Sequence, residues 1–129
     1  MATTAVLPPN VIVIEGLSHA AVMQAWKRSL FGVVPSICLD ACPTVTMEAM
    51  VSGRAVIGSR IGGITDQIVD GQTGFLVPPG DVNALRNAMK ILISDQMLRE
   101  QMGKAAIQKV CEYRADHVVA KIETIYQTL

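Results

Sequence analysis

Asp40 and Glu48 stand eight residues apart, with a loop (Ala41, Cys42, Pro43) and the start of a helix-forming run at Thr44 between them. Such a layout places two carboxylates and a helix N-terminus around one crevice. An ionised carboxylate is purely an acceptor of hydrogen bonds. The first N–H groups of a helix lack internal partners and attract phosphate. Cys42, Thr44 and Val45 carry backbone N–H groups at this junction, whereas Pro43 has none and only shapes the turn. Further on, Gly62 and Gly63 permit a tight turn with close backbone approach, and Asp66 follows them. The chemistry within reach is capture of a hydroxylated, phosphate-bearing ligand. Blander roles stand beside it. Glu48 suits the helix dipole, Asp40 suits local turn bonding, Thr44 suits an N-cap, and the glycine pair suits a plain turn.

These residues need strands and helices that alternate around them. The run Val11–Glu15, ended by Gly16, reads as a buried parallel strand. Ser18 caps a helix whose apolar face holds Ala21, Val22, Ala25 and Trp26. Leu30–Pro35 is a second strand, a helix begins at Pro43 or Thr44, and Gly53 stands where a helix C-terminus favours a left-handed residue. Ala55–Gly58 is a third strand, Thr65–Val69 a short helix and Phe75–Val77 a fourth strand. Asp81 caps a helix with Leu85, Ala88, Met89, Leu92 and Ile93 on one face. Ser94 or Asp95 caps the next, with Leu98, Met102 and Val110. A last helix after Asp116 aligns Ile122, Ile125, Tyr126 and Leu129. Alternating strand and helix without hairpin signals predicts a parallel α/β sheet.

The composition agrees with a sheet covered on both faces: 50% of the 129 residues are hydrophobic and 17% are charged. A net charge of zero gives no reason to expect nucleic acid or an anionic membrane surface. The first ten residues lack the basic and apolar regions of a signal peptide. Cys38, Cys42 and Cys111 have neither metal-ligand spacing nor a histidine companion, so we expect reduced thiols, a cytoplasmic location and no metal. Arg54 and Arg60 could approach a phosphate, although solvated arginines are commoner. Neither His19 nor His117 has a catalytic setting.

Read in order, Asp40-x7-Glu48, Ala49-Met50, Gly53, Ala55-Val56, Gly62-Gly63 with Asp66, and the continuous run Asp70–Asp81 (DGQTGFLVPPGD) resemble the donor half of the group-1 retaining glycosyltransferases of the GT-B fold. Asn10–Gly16, Met102–Ala106 and Ile125-Tyr126 resemble the flanking elements of that half. The resemblance implies a nucleoside diphosphate sugar as substrate, transfer of a hexosyl group to an acceptor, and no further cofactor. It assigns Glu48 to the ribose hydroxyls of the donor. Asp40 takes the place of the family's first glutamate, against the sugar, about 1.5 Å shorter in reach. Cys42, Thr44 and Val45 would turn N–H groups to the diphosphate and sugar, with Gly62 and Gly63 alongside.

Residues 1–129 therefore resemble one truncated GT-B C-terminal domain, a Rossmann-like three-layer sandwich with a mostly parallel four-stranded sheet. In the family this domain opens with two βα units that bring an Arg/Lys pair to the diphosphate, and a separate N-terminal domain holds the acceptor. Neither has a counterpart here. Backbone donors alone supply roughly 0.3–2 kcal/mol, against at least ~8 kcal/mol for catalysis. The expectation is a donor-binding portion that is inactive as this chain alone; the alternative is a non-catalytic nucleotide-sugar binding or assembly module. In the Rossmann order 3-2-1-4-5-6, Val11–Glu15 would be strand three and Leu30–Pro35 strand four. With one and two lacking, either those strands collapse together or an exposed sheet edge drives a homodimer, which we expect.

Overall fold

The computed structural model describes residues 7–129. Its elements follow in the order α1 (His19–Arg28), β1 (Gly32–Val34), α2 (Thr44–Val51), β2 (Val56–Ser59), α3 (Ile64–Gln67), β3 (Gly74–Val77), α4 (Val82–Ser94), α5 (Gln96–Val110), a 3₁₀ turn (Cys111–Tyr113) and α6 (Ala115–Gln127). Three helices start where a short polar side chain takes an orphan backbone N–H. Ala21 N–H donates to Ser18 Oγ, Ala84 N–H to Asp81 Oδ1 and Leu98 N–H to Asp95 Oδ1. Asp95 rather than Ser94 caps α5; the Ser94 hydroxyl donates back to Ile91 O at 3.1 Å. Gly53 follows α2 with φ +73°, the left-handed geometry expected there.

The sheet has the order β1-β2-β3 and is wholly parallel. Gly32, Val33 and Val34 pair with Val56, Ile57 and Gly58, which pair in turn with Gly74, Phe75 and Leu76. Side chains of a strand alternate between faces. Val34 and Val56 therefore meet Ala49 and Met50 of α2, Ile64 of α3, Ile68 and Ala106 of α5 on one face. Ile57 and Val77 meet Ala88 and Leu92 of α4 and Met102 of α5 on the other. This is the expected three-layer α/β sandwich, and α5 contributes to both cores.

One expected strand does not form. Val11–Glu15 joins no sheet, Ile12 and Ile14 are 82% and 65% exposed, and Val11 N–H donates to Pro8 O in a local turn. Among the described residues the sheet therefore has three strands rather than four. A parallel strand is stabilised by a neighbour at its side, and no strand among the described residues stands between this segment and β1. The collapse of Val11–Glu15 onto Leu30–Pro35 does not occur either. Gly32 N–H is bonded to Ala55 O, so in the alternating ladder Val33 turns its N–H and C=O to the outer edge of β1. α6 carries no buried residue, and Ile122, Ile125, Tyr126 and Leu129 are all exposed. No helix of the described residues is long and apolar enough to cross a membrane.

Leu92 and Ile93 share the apolar stripe read from the sequence, yet Leu92 is fully buried and Ile93 is 57% exposed. Leu92→Ala is expected to cost about 2–5 kcal/mol and Ile93→Ala no more than ~0.5 kcal/mol. Urea unfolding of the two variants measures the contrast; equal midpoints would place α4 in another rotation on the sheet.

Candidate functional site

β1 and β2 are parallel neighbours, so the loops leaving their C-terminal ends lie side by side. Residues 35–43 form the first loop, and Gly62-Gly63 lie in the second. Gly63 N–H donates to Asp40 O at 2.8 Å. Gly62 has φ +55°, and a Cβ there would stand 2.5 Å from Asp40 O; a Cβ on Gly63 would stand 1.9 Å from Ala41 O. The glycine pair is what lets the two loops touch backbone to backbone, and the N–H of Gly63 is occupied by that contact. The Asp40 carboxylate folds onto its own loop, where Oδ1 accepts the Cys42 N–H at 3.0 Å.

α2 begins at Thr44 with Pro43 as its N-cap and no side-chain bond to its first turn. The N–H groups of Thr44 and Val45 therefore have neither an intrahelical nor a side-chain partner. Glu48 follows one turn later, its side chain 23% exposed. Its Oε1 lies 3.7 Å from Nδ1 of His19 on α1, whose side chain is largely exposed. Beside it opens a cleft of about 560 Å³, lined by His19, Met23, Thr44, Glu48, Tyr113 and Arg114 among others. Thus Glu48 and Thr44 share one cleft, while Asp40, Cys42, Gly62 and Gly63 gather in the loop pair that leads into α2. Val45 lies on the exposed side of the first turn.

Three participants escaped the sequence reading. His19 reaches Glu48 from a different helix, and no local pattern marks that encounter. Tyr113 donates from its hydroxyl to Asp66 O at 3.0 Å, fastening the 3₁₀ turn to α3. Burial pushes its phenol above the ordinary 10.0, opposed by nearby Lys109 and reinforced by Asp66, Cys42 and Glu112. Gln67 sits on α3 with Nε2 3.3 Å from Pro43 O. The arginines have structural partners: Arg60 pairs with Asp70 at 2.6 Å, and Arg54 donates to the carbonyls of Trp26 and Lys27. The three cysteines are free. Among the described residues no cluster of three metal-ligating side chains occurs.

Residues 1–109 match the family model of the glycosyl transferases group 1, and the chain belongs to that family. It is 37% identical over 82 residues to D-inositol 3-phosphate glycosyltransferase of Corynebacterium diphtheriae, covering 64% of this chain and 19% of that protein. It is 43% identical over 93 residues to a sulfoquinovosyl transferase of Arabidopsis thaliana, covering 70% of this chain and 18% of that protein. Among solved structures, sucrose-phosphate synthase of Thermosynechococcus elongatus superposes with a TM-score of 0.80 and 28% identity, over 89% of this chain and 29% of that one. Anabaena HepE, solved with UDP-glucose, shares the fold at a TM-score of 0.72 and 24% identity, over 84% of this chain and 30% of that one. The chain thus spans about a fifth of the length of those curated relatives.

The neutral, hydrogen-bonded Tyr113 phenol is favoured in the folded state, so its ionisation lies higher folded than unfolded. Its contribution to stability is fully present below pH 10.0 and is lost as pH rises through the folded value. Tyr113→Phe is expected to flatten the decline in denaturation midpoint above about pH 10. Parallel declines in both proteins would remove Tyr113 from that role.

Proposed function

We propose that this chain is the nucleotide-sugar donor-binding part of a retaining hexosyltransferase. The observation that carries the reading is the cleft shared by Glu48 and Thr44, which opens on the uncapped first turn of α2, the helix reached by the loop that leaves the C-terminal end of β1. Ligands of open α/β folds bind at such ends. Glu48 accepts the ribose hydroxyls, the N–H groups of Thr44 and Val45 meet the diphosphate, and the loop of Asp40 and Cys42, backed by Gly62 and Gly63, borders the sugar. Family membership and the UDP-glucose held by HepE, a protein of the same fold, support this assignment.

The acceptor site and the cationic diphosphate clamp belong to an N-terminal domain and to further βα units outside these residues. In isolation the chain binds donor without transferring the sugar. Its setting is the cytoplasm, where its three thiols stay reduced. Two copies associate through the outer edge of β1, where Val33 gains the strand partner it lacks on that side. The turned-back carboxylate of Asp40 favours a second reading, a module that binds nucleotide sugars or partners without catalysis.

Ligand-observed NMR with UDP, GDP and ADP sugars is expected to show binding with a dissociation constant near ~1 mM. No saturation transfer from any of them would favour the assembly module. Glu48→Ala is expected to remove ~1.5–3 kcal/mol of that binding, the scale of a charged hydrogen bond, with little change in folding. A variant that unfolds at much lower denaturant yet still binds would make Glu48 structural. Light scattering is expected to give a dimeric mass, and a strictly monomeric one would remove the β1-edge interface.

A further inference from the structure

Gln67 is 1% exposed, on the last turn of the short helix α3. Its Nε2 lies 3.3 Å from Pro43 O and 3.5 Å from Cys42 Sγ. Its Oε1 is buried with no hydrogen-bond partner. A half-satisfied buried amide is unfavourable beside an apolar side chain of similar volume. Fold stability therefore gives no reason for an amide at this position.

Its reach supplies one. The Pro43 carbonyl also accepts the first intrahelical bond of α2, as an N-cap carbonyl does. Sharing that carbonyl ties the start of α2 to α3. Beyond this, the acidic loop is held at Asp40 by the Gly63 N–H and by the carboxylate's bond to Cys42 N–H. Two consecutive residues, Cys42 and Pro43, face the same amide, so it restrains both the direction of the loop and that of the first free N–H groups. We infer that Gln67 is a positioning residue for donor binding, acting through the Cys42–Pro43 turn that leads into the N-terminus of α2. This rests on the donor-binding reading above.

The test joins amide hydrogen exchange to binding of UDP-glucose in the unmodified chain and in Gln67→Leu and Gln67→Met. In the unmodified chain the Gln67 side-chain amide protons exchange slowly; fast exchange would overturn the tether without any variant. In either variant that keeps Ile57 N–H protected, exchange at Cys42 and Gly63 N–H rises about tenfold, the scale of one lost hydrogen bond. Saturation transfer from UDP-glucose falls while the denaturation midpoint holds or rises. Unchanged exchange at Cys42 and Gly63 in a folded variant overturns the role. So does a midpoint that drops with no change in binding, since that marks an amide needed only for the fold. If the unmodified chain takes up no nucleotide sugar, the donor-binding reading fails, and the exchange data still decide whether Gln67 holds the loop.

Discussion

The backbone contact between Gly63 N–H and Asp40 O is the constraint on which the site depends. It joins the loops that leave two adjacent parallel strands and sets where the acidic loop turns into α2. The contact is short because neither glycine has a Cβ; on Gly63 that atom would stand 1.9 Å from Ala41 O. Side chains at this point would drive the loops apart and carry Asp40 and the α2 N-terminus with them. The pair is thus structural in its immediate effect and functional in its consequence.

Rigid support for that contact comes from the sheet beneath. β2 is buried along its whole length, with Val56 in one core and Ile57 in the other. Helices on both faces fix β2 and, through it, the loop it sends to Asp40. α5 binds the two cores together because Met102 packs in one and Ala106, one turn further along the same face of the helix, packs in the other. Gly103 between them lets the helix approach the turn after α2, since a Cβ would lie 2.2 Å from Gly53 O. Polar ties then hold the upper layer, with Tyr113 on Asp66 O and Gln67 on Pro43 O.

Two stretches leave core-type residues exposed: Val11–Ile14 and the stripe of α6 at Ile122, Ile125, Tyr126 and Leu129. Strand-like sequence without a neighbouring strand has no ladder to join, and an amphipathic helix without an opposing face stays wet. Both features fit a chain that spans about a fifth of its curated relatives.

Much of this was legible in the residues. Ser18 and Asp81 marked their caps, Gly53 its left-handed turn, and strand–helix alternation a parallel α/β sheet, because each depends on chemistry within a few residues. The ordered motif from Asp40 to Asp81 identified the family for the same reason, as its parts keep a fixed spacing along the chain. Pairing over longer distance was not legible. Val11–Glu15 has the composition of a strand, yet whether it becomes one depends on a partner that its own residues cannot specify. The approach of His19 to Glu48, the grip of Gln67 on Pro43 and the reach of Tyr113 to Asp66 O bring together residues from separate elements. Sequence by itself determined the local elements and the residue types at the site. Only the tertiary structure decided which of them meet, because that follows from how helices and loops pack around the sheet.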